Sequence, residues 1–146
     1  MALRLPLPVG MYTVSDIMTK DPIALDVSDD LALANVIFHF GHFRHLPVVR
    51  AGKPVGLVSQ RDYLRALSQG SKEATLAGQV MTKPVERVRP ETPLSKALRL
   101  MIRKKYGCLP VVDGKGKLVG IVTETDATRL AERLVRDLDR VVAIAG

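Results

Sequence analysis

One pattern is used twice in this 146-residue chain, and that repeat constrains the fold more than any other feature. Asp16-Ile17-Met18-Thr19-Lys20 returns as Gln79-Val80-Met81-Thr82-Lys83, 63 positions on. His45-Leu46-Pro47-Val48-Val49 returns as Cys108-Leu109-Pro110-Val111-Val112 at the same offset of 63. Gly56-Leu57-Val58-Ser59-Gln60-Arg61-Asp62 returns as Gly120-Ile121-Val122-Thr123-Glu124-Thr125-Asp126, with an offset of 64. Three blocks in one order at nearly one offset define a tandem repeat. The one-residue slip falls where residues 50–54 face residues 113–117. Both stretches are turn-rich, and loops tolerate such insertions.

Each copy reads β-α-β-β-α. A short extended piece is expected at residues 22–25 and again at 84–88. The helix after it places Leu31, Ala34, Ile37 and Phe38 at helical spacing, with Ser28 or Asp29 as N-cap and Gly41 as stop. In the second copy Thr92 caps, Pro93 takes the first helical position, Leu94, Ala97, Leu98, Met101 and Ile102 form the stripe, and Gly107 stops it. Strands dense in Val, Leu and Ile are expected at 46–49 and 54–58, and at 109–112 and 118–122. A last helix follows Asp62, and another follows Asp126 through Leu130, Leu134 and Leu138. One copy alone buries too little apolar surface to be secure. The expectation is therefore an α+β fold of two repeats packed through their sheets with pseudo-two-fold symmetry. The expected layout is an N-terminal extension 1–11, a first repeat 12–67, a linker 68–78, a second repeat 79–139 and a tail 140–146.

Composition excludes several classes. Apolar residues make up 47% and aromatics only 4%, with no Trp, so the core is aliphatic and disorder is excluded. No apolar run approaches the roughly 20 residues of a membrane-spanning helix. Pro6 and Pro8 interrupt the apolar opening, which makes a poor signal peptide, so a cytoplasmic protein without a membrane role is expected. Cys108 is the one cysteine, which excludes an internal disulfide framework and a cysteine-rich metal site. His39, His42 and His45 fall in one stretch, but Gly41 interrupts it and no Cys or acid completes a ligand set, so no metal is expected. No nucleophile–base order, phosphate loop or paired carboxylate nominates catalysis, and an enzyme is not expected. The net charge is +7, of which residues 71–146 carry +6. Arg99, Arg103, Lys104, Lys105, Lys115 and Lys117 would suit nucleic acid, but Tyr106 is the one aromatic among them, a poor stacking platform. Nucleic-acid binding is an alternative function; a ligand-free dimerisation scaffold is another.

The repeated blocks resemble a tandem pair of CBS (cystathionine β-synthase) domains, a Bateman module. The resemblance lies in the Val-x-Asp-Ile-Met-Thr opening at residues 14–19, the Leu-Pro-Val-Val strand of both copies, and the closings Gly-Leu-Val-Ser-x-x-Asp and Gly-Ile-Val-Thr-x-x-Asp. It covers about residues 12–139. What it implies is a stand-alone regulatory module. Such a module binds AMP, ADP, ATP or a related adenosyl ligand between its repeats, requires no cofactor, forms a homodimer and signals to an enzyme, channel or transporter. The dimer helices would present Val36, Phe40, Leu130 and Leu134.

The site residues that follow from the resemblance divide by chemistry. Ser59 and Thr123, with the amides of the helices they open, would hold phosphate oxygens. Asp62 and Asp126 would accept hydrogen bonds from ribose hydroxyls. The same hydroxyl-x-x-acid spacing is also a helix capping box, in which both side chains serve the backbone. Ile23 and Val85, with Pro47 and Pro110 of the Leu-Pro strands, would form the adenine slot, the alternative being plain core residues. Arg44 and His45, before the first Leu-Pro strand, and Arg61, at a helix start, would meet phosphate. Their counterparts are Gly107, Cys108 and Thr125, and Glu124 would repel a phosphate if it pointed inward. The two clefts should therefore differ in affinity.

Overall fold

The aliphatic strands pair as two hairpins. β3 (His45–Arg50) and β4 (Lys53–Ser59) run antiparallel with His45 opposite Ser59, and β5 (Cys108–Val112) and β6 (Leu118–Thr123) run antiparallel with Cys108 opposite Thr123. Ala51 and Gly52, both at positive φ, make the two-residue turn of the first hairpin. The second turn is longer and is tied by Asp113 Oδ1, which accepts from Lys115 N and Lys117 N. This computed structural model describes residues 12–146; the expected extension 1–11 lies outside them.

Each hairpin is paired on both edges, by a two-residue strand on one and a single bridge on the other, and one of these edges comes from the other repeat. β2 (Leu25–Asp26) pairs parallel with β3, and the Val88–Val111 bridge is its counterpart on β5. On the opposite edges, β1 (Thr19–Lys20) pairs with β6, whereas Thr82 bridges to Leu57 of β4. The lead-in of the first repeat thus closes the sheet of the second, and the reverse holds. A Cβ on Gly56 would lie 2.5 Å from Met81 Sδ, and one on Gly120 would lie 2.8 Å from Met18 Sδ. Each lead-in methionine sits where the partner repeat has no side chain.

The helices cover these sheets. They are α1 (Leu31–Gly41), α2 (Gln60–Ser68), α3 (Ala77–Val80), α4 (Leu94–Lys104) and α5 (Glu124–Ala145). One core gathers Leu25, Leu31, Phe38, Leu46, Val48, Val58 and Tyr63 with Ala77 from the lead-in of the second repeat. The other gathers Val88, Ala97, Met101, Leu109, Val111 and Val122 with Val14 from the lead-in of the first. The α+β architecture of two sheet-bearing repeats stands as the repeat implied.

The helix ends differ from expectation by a residue or two, for identifiable reasons. Asp30, not Ser28 or Asp29, caps α1 by accepting from Leu33 N, because Asp29 is held by Asp26 N instead. Thr92 accepts from Arg89 N, so Pro93 becomes the N-cap of α4. The left-handed C-caps are His42 and Lys105, not Gly41 and Gly107. Residues 140–145 continue α5, since nothing before Gly146 breaks the helical pattern. Leu130, expected on a dimer face, is only 7% exposed and packs within the chain, and Leu134 is half-buried. Val36 and Phe40 do stand exposed, Phe40 at 77%.

Exchanged lead-ins make the two cores one cooperative unit. Leu46 is fully buried, and Leu46→Ala is expected to cost about 2–5 kcal/mol. In urea denaturation the loss should appear as one shifted transition. A biphasic curve in which the second repeat keeps its midpoint would contradict the interlocked core.

Candidate functional site

Thr123 ends β6 and Asp126 lies in the first turn of α5 that follows it, so the sheet fixes where both stand. Both capping boxes form. Asp62 N donates to Ser59 Oγ at 2.9 Å while Ser59 N donates to Asp62 Oδ2 at 2.9 Å. Asp126 N donates to Thr123 Oγ1 at 3.2 Å while Thr123 N donates to Asp126 Oδ2 at 2.9 Å. Each aspartate thus stabilises its helix start. The lead-in threonines complete the pattern: Thr19 Oγ1 donates to Asp126 Oδ1 and Thr82 Oγ1 to Asp62 Oδ2, both at 3.3 Å.

A cleft of about 430 Å³ opens beside Asp126. That volume suits a small-molecule ligand. One wall is residues 19 and 21–23 of the first lead-in, and another is residues 41–45, between α1 and β3. The third is the start of α5, from Thr123 to Asp126, with Arg129 one turn on. Asp126 is 8% exposed, and its Oδ1 accepts only the long bond from Thr19. Among the described residues, neither Arg44 nor Arg129 has a carboxylate within 4.0 Å.

The predicted residues separate into groups. Thr123, Asp126, Ile23, Arg44 and His45 line this cleft together. Ser59, Asp62, Arg61 and Val85 do not; they lie on the pseudo-symmetric side, where Asp62 Oδ1 is 3.8 Å from the Arg65 guanidinium. Pro47 and Pro110 are fully buried within β3 and β5. Thr19, Asp21, Phe43 and Arg129 were not singled out from the sequence. The three-residue step from Asp126 to Arg129 along a helix start could have nominated Arg129, since such residues share a face.

His45 sits at the junction of the two halves. A side chain on Gly107 would run into its imidazole, which explains a glycine there. Burial pushes the imidazole below its ordinary value; Glu124 and Asp62 pull the other way, and Arg44 adds to the lowering. Burial, reinforced by the negative Glu124, pushes the Cys108 thiol up to about 12, so it is a poor nucleophile at neutral pH. Among the described residues, no three His, Cys, Asp or Glu side chains converge as a metal-binding group, and no helix is long and apolar enough to cross a membrane.

Comparison with known proteins places this geometry. The CBS domain family model matches residues 14–69 and again 77–133. The crystal structure of a Vibrio cholerae protein described as an acetoin utilization protein (AcuB) superposes with a TM-score of 0.80, at 36% identity over 89% of this chain and 97% of that one. The CBS domain pair of protein MJ0100, in complex with 5′-methylthioadenosine and S-adenosyl-L-methionine, gives 0.75 at 30% identity, over 83% of this chain and 96% of that one. CBSX2 in complex with AMP gives 0.73 at 31% identity, over 84% and 98%. The chain is also 38% identical over 122 residues, 82% of its length, to a homoserine O-acetyltransferase of Methanohalobium evestigatum, but spans only 24% of that protein.

The His45 environment predicts a pH dependence. An unfolded imidazole takes up a proton near pH 6.5, and the folded one resists it. Its contribution to stability is therefore complete above that pH and is lost as pH falls through the lower folded value. Between about pH 7 and pH 5, the urea midpoint of the wild type should drop more than that of His45→Gln. Parallel drops would show that His45 plays no part.

Proposed function

The chain belongs to the CBS domain family, and from that premise we propose that it binds an adenosine-type ligand beside Asp126 and reports its occupancy to a partner protein. The observation that carries this reading is that one cleft gathers Thr19 and Ile23 from the first repeat with Thr123 and Asp126 from the second. Asp126 Oδ1 would accept from the ribose hydroxyls. Ile23, 48% exposed, and Phe43 would cover the faces of the adenine. Arg44 and Arg129 would meet an anionic group on the tail. AMP, ADP, ATP and related adenosyl compounds are the candidate ligands, and relatives of the chain hold AMP, 5′-methylthioadenosine and S-adenosyl-L-methionine.

In the same reading Ser59, Asp62, Arg61 and Val85 form a second, weaker cleft. Arg65 competes for the Asp62 carboxylate there, and Gly107 and Cys108 replace Arg44 and His45. Pro47 and Pro110 shape the strands from inside without touching ligand. Because the cleft is walled by both repeats, a ligand that fits it changes the relative stability of their arrangements, which is how occupancy becomes a signal. Val36 and Phe40 would be covered in a homodimer. The regulated enzyme, channel or transporter would meet that dimer.

A ligand that binds only the folded state stabilises it by about 2.7 kcal/mol at one hundred times its Kd. Thermal unfolding should therefore rise with at least one of AMP, ATP, 5′-methylthioadenosine and S-adenosyl-L-methionine. Asp126→Ala should abolish that rise while costing about 1 kcal/mol of intrinsic stability through the lost cap. An unchanged melting temperature with all four compounds would contradict the reading.

A further inference from the structure

Beyond the adenosine grip, the structure carries information about the ligand's tail. The protein as a whole carries a net charge of +7, yet its cleft does not share that sign. A vestibule of about 380 Å³ adjoins the cleft, sharing Arg44, Glu124, Thr125 and Arg129 with it and adding Thr128 and Glu132. Across cleft and vestibule, the carboxylates of Asp21, Glu124, Asp126 and Glu132 outnumber the guanidiniums of Arg44 and Arg129. Arg136 shares the charge of Glu132, at 3.6 Å. His45, the remaining titratable group on the wall, is held towards its neutral form by burial. A polyphosphate laid along this wall meets as much repulsion as attraction.

The neutral donors tell the same story. Phosphate needs hydrogen-bond donors, and a helix start usually offers them. Here the amides of Thr123, Glu124 and Asp126 already donate, to Asp126 Oδ2, Gly107 O and Thr123 Oγ1. The Thr128 hydroxyl donates to Glu124 O and the Thr123 hydroxyl to Asp126 Oδ2. The protons of these two hydroxyls are therefore engaged, and what each has left is acceptor capacity. What remains to donate is the amide and hydroxyl of Thr125 and the guanidiniums of Arg44 and Arg129, set on a wall otherwise rich in acceptors and negative charge.

We infer that this cleft selects an adenosyl compound with a cationic 5′ centre and a zwitterionic amino-acid tail over adenine nucleotides. Glu124, which borders both chambers, faces the 5′ cation. Arg44 and Arg129 take the tail carboxylate, and Glu132 with the Thr128 lone pairs takes its ammonium. This inference rests on the adenosine-cleft reading above, and its test separates the two.

The test is calorimetry of the full chain at one ionic strength with four probes. 5′-Methylthioadenosine, which lacks a charged tail, reports the adenosine grip alone. S-Adenosyl-L-methionine carries the cationic centre and the zwitterion, and AMP and ATP carry phosphate. The expected result is that S-adenosyl-L-methionine binds about ten-fold or more tighter than ATP, with AMP between them or near ATP. Glu124→Gln, at an exposed first-turn position, should narrow that ratio by about ten-fold, weakening S-adenosyl-L-methionine and strengthening ATP. If 5′-methylthioadenosine binds but AMP or ATP outcompetes S-adenosyl-L-methionine, or if Glu124→Gln leaves the ratio unchanged, the tail selectivity is overturned and the adenosine cleft stands. If none of the four binds, both fall.

Discussion

Each repeat leaves the start of its first helix without acceptors for its amides, and the lead-in of the other repeat supplies them. Leu94 N donates to Tyr12 O and Leu31 N to Thr75 O, both at 2.9 Å. Val14 N donates to Thr92 O and Ala77 N to Asp29 O in the same symmetric fashion. Buried backbone groups are costly when unpaired, so these bonds are obligatory for the fold as much as helpful. They fix where each lead-in runs, and the edge pairings of Thr19–Lys20 and Thr82 follow from them. From this exchange comes a cleft that neither repeat builds alone.

The same exchange explains why a nearly symmetric molecule has unequal clefts. The backbone frame repeats faithfully: two capping boxes, two threonines reaching the capping aspartates, and two methionines seated on glycines. The side chains hung on that frame have diverged. Arg44 and His45 project into the cleft beside α5, while Gly107 and Cys108 give the other side no charge, and Cys108 is buried. Gly107 is small because His45 occupies the space next to it. One half therefore gave up side-chain volume so that the other could place an imidazole at the centre.

Much of this was legible before the structure. The offset repeat carried the architecture, and the Val, Leu and Ile blocks carried the strands, because buried strands must be apolar on both faces. The Thr123-x-x-Asp126 spacing marked a helix start beside a strand. The cap positions were missed because Ser28, Asp29 and Thr92 are all competent caps, and the choice among them was made by turn hydrogen bonds outside the helix. That residues 19–23 would lie against Asp126, and not against Asp62, depends on which sheet each lead-in joins. Local pattern does not specify that. Arg129 and Asp21 entered the cleft for the same reason, through long-range packing that composition does not encode. The overall positive charge pointed away from the acidic lining, since the basic residues stand on outer faces.

The structure thus ties a regulatory family's fold to a cleft walled by both of its repeats, with an aspartate that both caps a helix and lines the cavity. The most direct examination is hydrogen exchange of the whole chain with and without saturating 5′-methylthioadenosine. Slowed exchange should appear together at residues 19–23 and at residues 123–126, which lie about a hundred positions apart in sequence and meet at the composite cleft. Protection confined to one of these stretches, or centred on residues 59–62, would contradict it.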